Sequence, residues 1–430
     1  MTALVVRGGE KLRGKIDPSA NKNAVLPVLC ATLLSDAPIT LRNVPEITDV
    51  IRIHGFFQEL GSTVDWDKAA KVLTIDHSTI SSSARATLPQ AMRASIMMIP
   101  GLLHRLGEAR LEHEVKGCTL GAREIDPHVA VFKAFGAEEG TMGKDIVFRQ
   151  KERGAGTRMW LEYASVTTTE NFIISALAAN GTSQIVNAAC EPHVQELCTF
   201  LELMGARIRG KGTSMVSVEG GVELTGADYT FVEDFHEVAT FMALAAVTGG
   251  DISVRNSQPE NFMLIDRTFE KFGAHVQHEK GWSRLDAPGE LVVQQNFTSH
   301  LTTKVEAAPW PYIPADLLPI FIALGVKAKG QVMFWNKVYE GGLTWHTELS
   351  LFGAHTLLCD PHRLITFGGD KLVPATVTSP YIIRVAIAML MVAASIDGES
   401  TILDADPIRR AHPNFTDNIE KLGVNVQWQD

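Results

Sequence analysis

The chain has 430 residues, more than one hydrophobic core supports, which predicts two or three domains. Hydrophobic residues make up 45% and charged residues 20%, the balance of an ordinary soluble globular protein. A net charge of −10 argues against nonspecific nucleic-acid binding, and the longest apolar runs, such as 385–395, are too short to span a bilayer. Neither a nucleic-acid nor a membrane partner is therefore expected. The cysteines, Cys30, Cys118, Cys190, Cys198 and Cys359, are odd in number and lack CxxC spacing. That pattern predicts reduced thiols in a cytoplasmic protein and argues against a zinc site; no metal and no cofactor are expected. The N-terminus has no signal-peptide form.

Taken in order, the chain repeats itself. An apolar residue, a glycine and a small residue recur at Gly61, Gly136, Gly205, Gly273, Gly353 and Gly423, with gaps of 75, 69, 68, 80 and 70 residues. An amphipathic helix precedes most of these glycines, as at 194–204, and the glycine falls where a helix C-cap needs a left-handed residue. Upstream of that helix lies a short strand ending in a polar turn, at 39–43, 184–187, 252–256 and 332–336. Further upstream runs a helix rich in alanine and leucine, at 24–34, 171–179, 238–247 and 383–396. Such helices are apolar nearly all round and should be buried.

Six units of about 70 residues fit two α/β domains of three units each, with buried helices at the centre and sheets outside. The expected division is residues 22–230 against 1–21 plus 231–430, with crossings near 17–22 and 228–236. A cleft between two similar domains is a natural ligand site.

Three stretches carry candidate chemistry. In residues 112–128, Gly117 and Gly121 bracket Cys118, with Lys116 and Arg123 close in sequence. Glycines let backbone approach a ligand, and neighbouring cations favour the reactive thiolate. Read alone, the same stretch also fits a surface turn with an incidental cysteine. Lys22 and Asn23 sit just before a helix, where a cation and the helix's positive end meet an anion; alone, such a lysine is more often a solvated surface residue. Asp316 follows Pro314 and could simply cap the next helix. Arg384 sits on an otherwise apolar helix and needs a partner, for which a ligand carboxylate is suited.

Together, the six-unit repeat, Lys22-Asn23, Met92-Arg93-Ala94-Ser95, the Cys118 loop and Ser165-Val166 give nearly the whole chain, more loosely in its C-terminal third, a pattern that resembles the enolpyruvyl transferases, on their UDP-sugar branch. The resemblance implies a two-domain inside-out α/β barrel and a carboxyvinyl transferase. It would take phosphoenolpyruvate as donor and UDP-N-acetylglucosamine, or a related nucleotide acceptor, as second substrate. It assigns Lys22 and Arg123 to the donor phosphate, with Arg410 in support, Cys118 as a mobile acid or adduct-forming thiol, Arg384 to the donor carboxylate, and Asp316 as the base for the acceptor proton. Asn23, Arg93, Ser165, Val166, Glu124, Ile125, Asp126 and His128 would line the nucleotide-sugar side. His128 also suits a structural role, and of Arg409 and Arg410 one should lie at the surface. Cys30, Cys190, Cys198 and Cys359, in apolar or helical settings, are expected to be inert.

This sequence also departs from the family. Gly342 stands where relatives carry arginine, Ile382 where they carry aspartate, Thr167 for glycine, Tyr163 for lysine and Met97 for tryptophan. The departures keep open a different nucleotide acceptor and a non-catalytic UDP-sugar-binding paralogue.

Overall fold

The computed structural model describes residues 2–81, 83–84, 88–89, 92–112, 124–285, 289–298 and 301–429. Cys118, Arg123 and the side chain of Arg93 lie outside that description. The described chain forms two compact units, residues 20–112 with 124–231, and residues 2–19 with 232–429.

Each unit is organised by three helices. The first holds α1 (Lys22–Thr32), α2 (Ile99–Leu106) and α3 (Val166–Ala178). The second holds α4 (Phe235–Thr248), α5 (Leu318–Lys327) and α6 (Ile383–Ala394). Every residue of α4 from Phe235 to Val247 is buried, as are Leu318–Val326 of α5 and Val385–Ala394 of α6. These helices have no polar face to give to water, so something must cover each of them on all sides. They pack on one another within their unit and are covered outside by sheets.

Those sheets share one plan. In the second unit the strand orders are Thr376–Thr378, Gly398–Leu403, Ala3–Gly8, Asn425–Gln429; then Val276–Glu279, Trp282–Leu285, Asp251–Arg255, Arg13–Ile16; then Thr303–Ala307, Gly330–Asn336, Arg363–Gly368, His355–Asp360. Each contains one parallel pair, such as Thr303–Ala307 with Gly330–Asn336, and two antiparallel pairs. Alternate residues point inward, for example Ile252 and Val254, or Val332 and Phe334, all fully buried. The first unit repeats the plan in two four-stranded sheets and one of three described strands. Helices inside and sheets outside make each unit an inside-out α/β arrangement. Its sheets are not hydrogen-bonded into a closed barrel among the described residues.

The recurrent glycines end the outer helices. Gly61, Gly136, Gly205, Gly273, Gly353 and Gly423 have φ of 100°, 91°, 101°, 74°, 82° and 110°. This left-handed turn aims the chain from each outer helix into its next strand. Among the described residues no helix is long and apolar enough to cross a membrane.

Two glycines of the first unit separate backbone strain from packing. A Cβ at Gly136 or at Gly55, inside the helix Thr48–Leu60, would meet nothing within 4 Å. Only Gly136 has positive φ. Gly136→Ala should cost about 1–2 kcal/mol and Gly55→Ala should add about 0.5–1 kcal/mol, opposite shifts of a urea midpoint at constant slope.

Candidate active site

In the second unit the N-terminal ends of the three central helices carry the polar residues. Asp234 is the N-cap of α4 and accepts from the backbone N–H of His236 at 2.9 Å. Asp316 lies in the single turn Ala315–Leu317 that leads into α5. Arg384 is the second residue of α6. Because α4, α5 and α6 pack on one another, these ends converge. Asp316, Asn336, Tyr339, Gly342, Ile382 and Arg384 line one hollow of about 330 Å³, part of it open to solvent.

The electrostatics of this hollow centre on Arg384. Its side chain is 11% exposed, and Nη2 lies 3.4 Å from Oδ2 of Asp234. Nη1 is buried and has no hydrogen-bond partner among the described residues. An unsatisfied buried donor costs about 1–3 kcal/mol, and more when charged, so this atom favours an acceptor. Burial alone would raise the pKa of Asp234, but His236, followed by Arg384 and His412, holds it well below the usual carboxylate range. No side-chain cap bond links Asp316 to α5, so its carboxylate is not spent on the helix.

The structure gives a steric reason for glycine at 342. The Asn336 Oδ1 accepts from the N–H groups of Val338 and Tyr339, each at 3.0 Å, which locks the buried amide. A Cβ at Gly342 would lie 2.8 Å from Nδ2 of that amide. Positive φ belongs to Gly341 instead, at 74°. Both of the adjacent arginines, and not just one, are exposed, and they differ in their partners. Arg409 lies over the ring of Trp428 at 5.0 Å. Arg410 donates to the Tyr381 hydroxyl at 2.9 Å, and that hydroxyl donates to Asp406 at 2.6 Å. Tyr381 holds φ of 61°, unusual for a non-glycine residue.

The first unit shows the same positional logic. Lys22 opens α1, with Asn21 as N-cap accepting from the Asn23 N–H at 2.9 Å. The Lys22 ammonium pairs with Asp49 at 2.5 Å and stays partly exposed. Ser165 is the N-cap of α3 and Val166 its first residue. Glu124 and Asp126 are exposed at the start of the helix Asp126–Ala134, and Ile125 is its half-buried N-cap. His128 is 2% exposed, with Nδ1 against the Asn171 amide at 2.8 Å and Nε2 against the Thr167 hydroxyl at 3.3 Å. Its ring therefore has structural partners on both sides. Tyr163 is exposed and Met97 is buried.

The described cysteines are free thiols. Burial raises Cys30 far above its usual range, Cys198 to about 12 and Cys190 to about 11. Such thiols stay protonated and unreactive. Cys359 is different from the sequence expectation: it lies neither in a helix nor in an apolar setting, but is exposed on the edge strand His355–Asp360. Sequence reasoning passed over Asp234, Asn336 and Tyr381. An aspartate just before an apolar helix signals a cap. Nothing local signals a partner 150 residues away. Among the described residues no group of three His, Cys, Asp or Glu side chains is arranged to hold a metal ion.

Comparison with known proteins places these features in context. The family model described as EPSP synthase (3-phosphoshikimate 1-carboxyvinyltransferase) matches residues 6–419. The UDP-N-acetylglucosamine 1-carboxyvinyltransferase of Borreliella burgdorferi is 32% identical, covering 99% of both chains. That of Bradyrhizobium diazoefficiens is 35% identical over 98% of this chain and 97% of its own. Among solved structures, the enolpyruvyl transferase NikO from Streptomyces tendae superposes with a TM-score of 0.87 at 19% identity, over 100% of this chain and 99% of its own. EPSP synthase from Acinetobacter baumannii does so with a TM-score of 0.78 at 16% identity, over 100% of both chains.

The close approach at Gly342 sets a testable limit. Gly342→Arg should not restore a simple cation, because the new Cβ must first displace the Asn336 amide. We expect a loss of about 1–3 kcal/mol in urea denaturation, with much of it already present in Gly342→Ala.

Proposed function

This chain belongs to the EPSP synthase family of enolpyruvyl transferases, and on that premise we propose that it transfers the enolpyruvyl group of phosphoenolpyruvate to a hydroxyl of UDP-N-acetylglucosamine. Phosphate is released, and the reaction is the committing step of peptidoglycan synthesis in the cytoplasm. The observation that carries the reading is the pocket of the second unit. There Asp316 and Arg384 line the same space, and Nη1 of Arg384 is buried without a hydrogen-bond partner among the described residues. Full-length relatives at 32% and 35% identity bearing this acceptor in their names support it.

The chemistry is addition followed by elimination. Asp316 takes the proton of the acceptor hydroxyl, whose oxygen bonds to C2 of the donor while C3 gains a proton. The tetrahedral adduct then loses phosphate from C2 and a proton from C3, regenerating the double bond. Arg384 holds the donor carboxylate through a charge-assisted hydrogen bond. Lys22, Arg123 and Arg410 are assigned to the phosphate as its charge grows, and Cys118 to the mobile acid or adduct-forming thiol. Asn23, Arg93, Glu124, Ile125, Asp126, Ser165 and Val166 are assigned to the nucleotide sugar. His128 would support that face through its bonds to Asn171 and Thr167.

Phosphate release should require both phosphoenolpyruvate and UDP-N-acetylglucosamine, and should not occur with 3-phosphoshikimate. Release only with another nucleotide acceptor would replace the substrate named here. Binding of the nucleotide sugar in a thermal-shift assay, without turnover, would point to a non-catalytic protein. Arg384→Ala should weaken the donor by about ten- to a hundredfold, the worth of one charge-assisted hydrogen bond.

An epoxide analogue of the donor should alkylate one thiol, Cys118, faster with nucleotide sugar bound. Cys359 is the exposed competitor among the described thiols, so the labelling is best read in Cys359→Ser. Peptide mapping that finds the label on Cys30 or Cys198 would defeat the assignment.

A further inference from the structure

Asp234 is 2% exposed and lies on a different central helix from Arg384. Its two oxygens have separate partners. Oδ1 is fixed by the backbone N–H of His236 at 2.9 Å and faces that residue's Nδ1 at 3.0 Å. Oδ2 faces Nη2 of Arg384 at 3.4 Å. The His236 ring is itself held against Phe235, centroid to centroid at 3.9 Å, and Phe235 packs edge-on against Trp310. The carboxylate is therefore anchored to the start of α4 before it meets the arginine.

An arginine side chain is long, and one fixed contact decides where its remaining donors point. Asp234 engages Nη2, while Nη1 of the same guanidinium is buried without a partner among the described residues. Ile382, two residues before Arg384, borders the pocket with an alkyl group and offers no second carboxylate. Among the described residues, Asp234 is the carboxylate within 4.0 Å of Arg384.

We propose that Asp234 is a positioning residue: anchored on α4, it orients the guanidinium of Arg384 so that Nη1 meets the carboxylate of the donor. This rests on the reading of Arg384 as donor-binding. Asp234 acts through the arginine and touches no reacting atom, so its influence falls on donor affinity more than on turnover.

The test is a double-mutant cycle on KM and kcat. Asp234→Asn keeps an oxygen for the helix cap and removes the charge that holds Arg384. It should raise the KM for phosphoenolpyruvate by about tenfold or more while kcat changes by less than about threefold. In an Arg384→Ala background the same substitution should add nothing to KM, because the group it orients is gone. That double variant also lacks the buried unpaired cation, so the comparison stands even where Asp234→Asn alone fails to fold. Placing the carboxylate on the facing side, with Ile382→Asp added to Asp234→Asn, should recover part of the lost affinity. An unchanged donor KM in folded Asp234→Asn, or a further loss in the Arg384→Ala background, would overturn the proposal. Calorimetry with phosphoenolpyruvate alone separates it from the reaction assigned above. Tenfold weaker donor binding in Asp234→Asn upholds the positioning role even for a protein that turns over no acceptor. Equal binding, or none in the unsubstituted protein, refutes it.

Discussion

Burying a helix that is apolar on every side governs this structure. Leu318–Val326 or Val385–Ala394 can be satisfied only by other apolar surfaces all round. Three such helices supply part of that cover to each other, and the inward residues of the sheets supply the rest. Packing them together in the second unit brings Asp234, Asp316 and Arg384 to one place, although they are far apart in the chain. Helix N-termini carry partial positive charge and unpaired N–H groups, so the end where they converge is suited to anionic ligands. In the first unit Lys22 and Ser165 also stand where central helices begin.

The pocket in the second unit balances charge unevenly. Arg384 is nearly buried yet paired on one side, and a buried ion is tolerated only when its partners nearly offset lost hydration. Asp234 provides that partner from the cap of α4, and Nη1 is left buried without a partner among the described residues. The surrounding residues restrict how the pocket can be altered. Asn336 ties down the turn through Val338 and Tyr339, and its amide occupies the volume that a side chain at 342 would need. A side chain at 342 would therefore have to move that amide.

The reactivity of thiols follows the same division between burial and exposure. Cys30 and Cys198 sit in the core, where a thiolate would lose its hydration, and at Cys198 that loss outweighs the pull of Lys211. Cys359 escapes this protection because alternate residues of an edge strand face water.

The sequence by itself determined the architecture. Helices without a polar side, glycines recurring at about 70 residues and short strands ending in polar turns specify buried helices inside sheets, since each signal is local and repeats. The positive φ at all six glycines follows from the same local need. It also marked Lys22, Asp316 and Arg384, each conspicuous as a charge beside an apolar helix. What the tertiary structure decided were the partners. That Asp234 holds Arg384, that Asn336 excludes a side chain at 342, that Thr167 and Asn171 flank His128, and that Arg409 lies on Trp428 while Arg410 meets Tyr381 all depend on how helices and strands pack. Hydrophobic periodicity fixes which face of an element is buried, but it carries no information on which distant residue that face will meet.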